Sequence, residues 1–561
     1  MDAREHIKIW EKMYTDLTPW LTTWQEIGQY ILPRKSNVYR SQSPAEKQTA
    51  YLYDGTAIKA NDDLAAWLQS NLTSMAMDWY SLTIGDGDEE VIDKEGELWL
   101  EDCRKRQFAA LRASNFSGQI HEAYLDLGSF CQTAMLIDEL PMEEGRFAGL
   151  RFLTLQPGEY AIEEGPDGET KALFRVFSMS AQAAYDKWGE DLSDAVKKYR
   201  DKEPSRLFDF LHCVYPNDWF GGKNRVKLPE VSVYIDKEGK KLLGKPGGYH
   251  EFPFAVFPWH KASGEKYGRG PGWTSLPDVK TLNKAVENTL KQWAKAVDPP
   301  VSILYGQVLG SLRLTPAGRN YVRSQDAIKP IESGVAFDID KMNTEDLRTR
   351  VREYFHADKI RMLPPPEEAG KMTAFEVSIR YEMMQKLLGP AFNYIINYGL
   401  DKIIERTFSI LYRAKQFKQA PQSVVMASQS GRDNVKINYE SPLARAQRMH
   451  EVEAITKLIS FIAPLSESHP EIWDNIDMDE GVREAAKIMG IPKKMLRAKD
   501  GENSVKNIRA AREQARAQAQ QQEALAQGAE IAAKGIPALN EMNPDMMAKL
   551  AEAAGAAGGQ A

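Results

Sequence analysis

The residue patterns that bind nucleotides in many proteins do not occur in this sequence. It has no G-x-x-x-x-G-K-S/T stretch, so no phosphate-cradling P-loop is predicted. The segment Tyr267–Gly272 is rich in glycine, but its spacing is not G-x-G-x-x-G, and Pro271 has no backbone N–H to donate. We therefore predict a tight turn that leads into a helix there, and no nucleotide site.

Acidic and metal-ligating residues do not form a recognisable site either. The clustered acids Asp474, Asp477 and Asp479 lack the spacing of a Ca²⁺ loop, and helix capping on a solvated surface accounts for them better. His212 and Cys213 are adjacent, so on a strand they point to opposite faces and cannot share a metal. Neither G-x-S-x-G nor H-E-x-x-H occurs. The sequence predicts no catalytic residue, metal site or cofactor, and we expect a protein that is not an enzyme.

Composition indicates a folded protein with a sizeable core. The 561 residues are 43% hydrophobic and 27% charged, with a net charge of −7, so the chain as a whole is not a polycation that wraps nucleic acid. The three cysteines are far apart and form no C-x-x-C pair, which favours a reducing cytoplasm over a disulfide framework. No signal peptide and no apolar stretch of about 18 residues is evident, so we expect no membrane partner.

Apolar periodicity predicts helices before residue 150, and a mixed region follows. Helices are predicted up to Pro33, from Thr56 to Met75, and from Glu97 to Ile137 with an interruption near Ser117. Tryptophans and tyrosines at helical spacing in these segments indicate core packing. Short apolar runs separated by turn residues between Arg151 and Trp259 predict strands around a helix.

The second half predicts long helices separated by breaks. One helix should run from Gly272 to the Asp298-Pro299-Pro300 stop, and a compact strand-containing stretch should follow up to Asp340. A second helix should run from Thr344 to Met362. The next residues, 363–371, contain three consecutive prolines and predict an exposed loop. The capping-box pattern that begins at Thr373 predicts a long helix, which Gly389-Pro390 should kink.

Several short motifs resemble, in the same order, those of the portal (head-to-tail connector) family of short-tailed bacteriophages. They are Tyr53–Ala57, Trp79–Leu82, Glu159–Glu164, Phe252–Phe254, Tyr267–Pro271, Met372–Val377 and Tyr439–Ala446. No single match is decisive, but collinear matches from Tyr53 to Ala446 are hard to obtain by chance. Gly55, where the family often has Ser, and Phe257-Pro258-Trp259, where an Arg is expected before the Trp, depart from the pattern.

The resemblance implies an α+β, mainly helical portal fold with wing, stem, clip and crown, plus a C-terminal helical segment. The implied boundaries are 1–150 for the helical wing part, 151–271 for the α+β wing part, 272–298 for stem helix 1, 299–342 for the clip, 343–362 for stem helix 2, 363–372 for the tunnel loop, 373–440 for the kinked wing helix and strand, 441–504 for the crown, and 505–561 for an Ala/Gln-rich helical barrel or flexible tail.

The resemblance also implies a ring, usually of twelve subunits, at one capsid vertex of the virion. Its partners would be further copies of itself, the packaging terminase on the clip side, a tail adaptor, major capsid and scaffolding or internal core proteins, and double-stranded DNA bound without sequence specificity. During assembly the chain would be in the host cytoplasm. Two alternatives are another ring-forming head–tail adaptor and a DNA-packaging enzyme, which would need a nucleotide loop or clustered metal carboxylates.

Charged residues of the implied tunnel loop and stem are the candidates for facing DNA. An anionic lumen would repel phosphate and keep the duplex centred, and a ring of subunits with a charge of −7 each fits this idea. The acidic candidates are Glu367 and Glu368. The basic candidates are Lys371, Arg348, Arg350, Arg352, Lys359 and Arg361. Alternatively, the stem arginines make salt bridges between subunits.

Overall fold

The computed structural model divides the chain into two compact units, Met1–Glu451 and Val452–Ala561. The structure describes residues 1–39, 49, 51–84, 93–141, 146–221, 226–315, 318–331, 337–361, 388–429, 435–439, 442–465, 476–489, 491, 495–497 and 505–539. Helices and antiparallel strands are both abundant in these residues, which is compatible with the expected α+β class.

Four helices form the first part of the chain. They are α1 Ala3–Tyr30, α2 Thr56–Leu72, α3 Lys94–Ala113 and α4 Phe116–Ser129. A capping box starts α1, because the Asp2 carboxylate accepts from the Glu5 N–H while the Glu5 carboxylate accepts from the Asp2 N–H, each at 2.8 Å. One face of α1, which includes Trp10 and Trp24, is buried as the periodicity predicted.

The prediction of helix from Glu97 to Ile137 is wrong at its C-terminal end. Helix α4 stops at Ser129, Cys131 adopts a positive φ of 65°, and residues Gln132–Glu139 form strand β2. Residues 132–137 are all buried, so their apolar run has no exposed positions from which a helical period could be distinguished from a strand. The break between α3 and α4 lies at Ser114 and Asn115, slightly before the predicted position.

Two antiparallel sheets form the core of the first unit. Strand β1 Tyr80–Ile84 belongs to neither sheet. The strands of the two sheets are β2 Gln132–Glu139, β3 Leu150–Thr154, β4 Tyr160–Glu164, β5 Thr170–Ser180, β6 Leu207–Pro216, β7 Glu230–Asp236, β8 Lys241–Tyr249 and β9 Phe254–Pro258. One sheet has the order β3-β2-β9 and the other the order β4-β5-β6-β7-β8. The predicted turn at Gly165–Gly168 joins β4 to β5, and the predicted turn after Asp236 joins β7 to β8.

Two short helices cover part of the five-stranded sheet. They are α5 Ala181–Trp188 and α6 Asp194–Lys202, which occupy the segment predicted as one helix. Ala184 and Val196 of these helices form a separate apolar cluster with Phe208 and Phe210 of β6. This cluster attaches the two helices to the sheet and is separate from the main hydrophobic core.

The helix after residue 387 contains an irregular turn that the sequence did not predict. Residues 388–394 form α10, Ile395–Leu400 form a π-helix, and Asp401–Arg413 form α11. A Cβ at Gly399 would lie 2.8 Å from the ring of Phe257, so glycine allows the π-helix to pack directly on β9. The predicted start of this helix at Thr373 lies outside the described residues, and the kink at Gly389-Pro390 stays a prediction.

The remaining described elements of the C-terminal half are mostly helical. They are α12 Gln422–Gln429, β14 Val435–Tyr439, α13 Pro442–Leu465, α14 Met478–Ile488 and α15 Val505–Leu539. Strand β14 pairs with β1, and Tyr80 lies opposite Tyr439. In the second unit, the Asp477 carboxylate caps α14 by accepting from the Asp479 and Glu480 N–H groups at 3.0 Å. The capping role expected for this acidic cluster is therefore confirmed at Asp477, while Asp474 lies outside the described residues.

Candidate functional site: a helix pair and the exposed strand module beside it

A glycine-rich turn fixes where the first helix of the pair begins. Helix α7 spans Pro271–Val297, 27 residues or about 40 Å, and Gly270 is its N-cap. A Cβ at Gly272 would lie 1.9 Å from the Ser129 carbonyl oxygen, and one at Gly268 would lie 2.2 Å from the Cys131 carbonyl oxygen. The Tyr267–Gly272 segment is therefore a close backbone crossing that directs α7, which confirms the predicted structural role.

The second helix of the pair is interrupted. Helix α8 spans Phe337–Tyr354 and packs on α7, and a short helix α9 spans Ala357–Arg361. The sequence predicted a continuous helix from Thr344 to Met362. Instead, α8 ends at Tyr354 and α9 begins at Ala357, and His356 between them adopts a φ of 56°, in the left-handed region, which interrupts the helix. The start at Phe337 also places helix where the sequence predicted the end of the compact stretch.

A small strand module, residues 301–331, connects α7 to α8 along the chain and has little core of its own. Strand β10 Val301–Ile303 pairs with β13 Ile328–Pro330, and β11 Val308–Leu309 pairs with β12 Tyr321–Val322. The strands predicted at Val301–Tyr305 and Ala327–Ile331 are confirmed over shorter spans, Val301–Ile303 and Ile328–Pro330, while the inner pair was not predicted. Isolated two-stranded sheets are marginally stable in water, so this module requires packing against something further.

The module and the adjoining end of α7 expose many large apolar side chains. Tyr305 is 103% exposed, Tyr321 is 70% exposed and Val297 is 86% exposed. The other exposed apolar residues of this surface are Leu290, Trp293, Ile303, Leu304, Leu309, Leu314, Val322 and Ile331. We call this set of residues the module surface. Many exposed large apolar side chains in one short stretch of chain are typical of a protein–protein interface.

Asp54 and Asn283 connect the helix pair to the segment that precedes α2. Asn283 of α7 accepts from the Tyr53 N–H at 2.7 Å and from the Asp54 N–H at 3.3 Å, and it donates to the Tyr51 carbonyl at 2.8 Å. Asp54, with 7% of its side chain exposed, accepts from Arg348 Nε of α8 at 2.9 Å. The Tyr53–Ala57 motif therefore holds both helices. The sequence singled out the motif but gave no signal for these two partners.

Burial and hydrogen bonding act in opposite directions on the Asp54 carboxyl. Burial raises its pKa, but hydrogen bonds from Thr56 and from the Arg348 guanidinium outweigh burial and lower the pKa below its ordinary value. The contacts of Arg348 with Asp54 and Glu345 raise the pKa of its guanidinium despite partial burial. The Asp54–Arg348 pair is thus ionised over a wide pH range.

The candidate arginines of α8 are paired with carboxylates of their own chain. Arg348 also lies 3.4 Å from Glu345, and Arg352 lies 3.1 Å from the same residue. Arg350 lies 3.6 Å from Asp346 and 3.9 Å from Asp278 of α7. These contacts lie within one chain, and the alternative of salt bridges between subunits stays a prediction.

Of the other candidates for facing DNA, the structure describes only two. Lys359 and Arg361 lie on α9, and Lys359 is half-buried. The acidic candidates Glu367 and Glu368, with Lys371, lie outside the described residues. The assignment of all these residues to a DNA channel stays a prediction.

Within the described part of the chain, no three His, Cys, Asp or Glu side chains are grouped so that they could hold a metal ion. Cys103, Cys131 and Cys213 are buried free thiols. His212 donates to or accepts from Ser232 Oγ at 3.0 Å and stacks on Tyr234, which gives it a structural role.

Among the described helices, none is long and apolar enough to cross a bilayer.

Comparison with known families identifies the class of protein. A family model described as bacteriophage head to tail connecting protein matches residues 3–496. The match covers most of the chain, so this chain belongs to the bacteriophage head-to-tail connecting protein family. The predicted resemblance to connectors of short-tailed phages is confirmed, and the family is one of structural proteins.

Two curated relatives align along almost the whole chain. A "Probable portal protein" of Bordetella phage BPP-1 is 27% identical over 541 residues, which cover 94% of each chain. A "Portal protein" of Salmonella phage epsilon15 is 25% identical over an alignment 561 residues long, which covers 97% of each chain. Among solved structures, a chain from the virion of a native gene transfer agent particle aligns with 78% of this chain and 90% of its own, at 11% identity and a TM-score of 0.32.

Proposed function

We propose that this chain is the portal subunit of a short-tailed bacteriophage. Copies of it form a closed ring at one vertex of the capsid, double-stranded DNA enters and leaves through the ring, and the tail attaches to it. The observation that carries this proposal is the family match over residues 3–496, together with two portal relatives that align over 94% and 97% of their length.

The module surface supports assembly into a ring. A side chain such as Tyr305, which is fully exposed in the single chain, gains stability only when a neighbour covers it. Burial of apolar area stabilises an interface by roughly 25 cal/mol per Å², so a surface with three exposed aromatic residues can contribute substantially to association. We assign this module to the clip and its flanking helices α7 and α8 to the stem.

The remaining parts of the ring follow the boundaries stated for the sequence. Residues 1–150 and 151–271 form the wing with 373–440, residues 441–504 form the crown, and 505–561 form a helical barrel or tail on the capsid side. The partners are the terminase during packaging, a tail adaptor, and capsid and scaffolding or core proteins.

The charge arrangement on α8 suits a channel in which DNA slides. Each of Arg348, Arg350 and Arg352 has a carboxylate of its own chain within 4.0 Å, so α8 offers little unpaired positive charge to phosphates. A lumen with few unpaired cations does not retain DNA by counterion release. Glu367, Glu368 and Lys371 of the tunnel loop are then the residues that approach the duplex, with Lys359 and Arg361 as weak phosphate contacts.

Complementation tests the portal function directly. Cells infected with a phage of this type that lacks a working copy of the gene should yield heads with nuclease-protected DNA only when the intact chain is supplied. A chain with residues 367–371 replaced by a short Gly-Ser loop should form rings but package or retain less DNA. Normal packaging with that variant removes the loop from the mechanism, and DNA-filled heads without any copy of the chain refute the portal function.

A further inference from the structure

A group of three cations on the five-stranded sheet has no part in the proposed function. Arg175 lies on β5, where its register partners are Tyr160 of β4 and His212 of β6. Its side chain is 8% exposed, and its Nε is buried without a hydrogen-bond partner among the described residues. A buried guanidinium donor without an acceptor costs free energy unless another group satisfies it.

Two further cations lie near Arg175 at the surface. Lys187 Nζ of α5 lies 4.4 Å from the centroid of the Tyr234 ring, and that ring stacks on His212 at 4.2 Å. Arg151 of β3 interacts electrostatically with both Lys187 and Arg175. Arg151 and Lys187 are exposed while Arg175 is buried, so Arg175 is the least accessible of the three cations. We call Arg151, Arg175 and Lys187 the cation triad.

Two nearby carboxylates, Asp138 and Glu159, attract the three cations of the triad but form no salt bridge with them. Asp138 is the register partner of Arg151, and Glu159 lies beside Tyr160, yet in the described part of the chain neither carboxylate comes within 4.0 Å of a triad nitrogen. Arg406, the next cation in this region, already has Glu251 at 3.0 Å. The triad therefore carries an excess of positive charge.

Aromatic rings contact two of the three cations, Arg175 and Lys187. The guanidinium carbon of Arg175 lies 5.0 Å from the Phe177 ring centroid, and Lys187 Nζ lies 4.7 Å from that of Trp188. Burial lowers the pKa of Lys187, and the neighbouring Arg175 and Arg151 lower it further. An anion between the three groups would relieve this repulsion.

We propose that the cation triad is a binding site for a small oxyanion, a carboxylate or phosphate group carried by a small molecule or a flexible side chain. Arg175 would donate its free N–H groups from the base while Arg151 and Lys187 close on the anion from the rim. Duplex DNA does not fit this role, because phosphates on a wide rigid rod cannot reach a guanidinium that is 8% exposed.

Titration calorimetry of the full chain tests the proposal with inorganic phosphate as the probe, at constant ionic strength set with chloride. The intact chain should bind phosphate saturably, and Lys187→Gln and Arg151→Gln should each bind it about tenfold more weakly. Lys198→Gln, which removes an exposed lysine of α6 outside the triad, is the matched control and should bind as the intact chain does. Both triad substitutions are at exposed positions, so folding should be retained.

Two competition arms identify the source of the anion. A short glutamate-rich peptide that displaces phosphate identifies a carboxylate ligand, and phosphate binding without such displacement identifies a phosphate ligand. The proposal is overturned if phosphate does not bind saturably, if Lys187→Gln and Lys198→Gln bind it equally, or if short duplex DNA displaces it. Ring formation by the same variants is examined by electron microscopy, so failure of the anion site is distinguishable from failure of the portal function.

Discussion

At the scale of single residues, the crossing of α7 over the end of α4 depends on the absence of a side chain at Gly272. Replacement of Gly272 by Ala places a Cβ 1.9 Å from the Ser129 carbonyl oxygen, so the backbone must shift. We expect a loss of about 1–3 kcal/mol and a lower thermal unfolding midpoint. Gly118→Ala is the matched control, because Gly118 lies in α4 with no atom within 4 Å of its added Cβ.

The control should behave in the opposite way. An alanine inside a helix is better than glycine by roughly 0.5–1 kcal/mol, so Gly118→Ala should raise the midpoint slightly. If both substitutions change the midpoint by the same amount, the close crossing at Gly272 does not limit stability.

Glu230 makes the free energy of unfolding depend on pH. Burial raises the pKa of its carboxyl to about 7 from an ordinary value of 4.5, and Oε2 is buried without a partner among the described residues. Between these pH values the folded chain keeps a proton that the unfolded chain has lost, so this group makes stability fall as pH rises. Below the ordinary value it contributes nothing.

Glu230→Gln removes this term because an amide does not titrate. We expect the variant to unfold at a higher temperature than the intact chain near pH 8, and at the same temperature near pH 4. Glu203→Gln, at an exposed position, is the control and should show no such divergence. A constant difference between Glu230→Gln and the intact chain at all pH values would contradict the account.

At the scale of elements, Asn283 should fix α7 against the segment before α2. Asn283→Ala removes three hydrogen bonds, to Tyr51, Tyr53 and Asp54, and leaves their backbone groups partly unsatisfied. We expect a loss of about 1–3 kcal/mol, measured as a lower unfolding midpoint. Thr281→Ala, on the same helix, removes only an exposed bond to the Pro277 carbonyl and should be nearly neutral. Equal effects would show that Asn283 does not hold the segment.

The elements also show what sequence reasoning can and cannot predict. Helix α7 was predicted within one residue, because an apolar period ends at a Pro-Pro stop and begins at a glycine-rich turn. Strand β2 was mistaken for helix because its residues are buried on both faces. The helix break at His356 could not be predicted, because no glycine or proline occurs there. The Asp54–Arg348 salt bridge could not be predicted from local sequence either, because its residues are far apart in the chain.

At the scale of the whole molecule, the module surface should be required for assembly but not for folding of the subunit. The double substitution Tyr305→Ser and Tyr321→Ser removes two exposed aromatic side chains that contact little in the single chain. We expect an unchanged unfolding midpoint of the dissociated subunit and a reduced yield of rings in gel filtration. Tyr412→Ser is the control: the Tyr412 side chain lies on α11 and is 57% exposed, and this variant should assemble normally. Rings of normal yield from the double variant would place the subunit interface elsewhere.

The central claim is that copies of this chain surround an open passage. Electron microscopy of the purified full chain, in negative stain and at virion-like ionic strength, measures this most directly. We expect closed rings of uniform subunit number with a hole along the axis. A protein that stays monomeric under these conditions, or that associates into particles without a central hole, would contradict it.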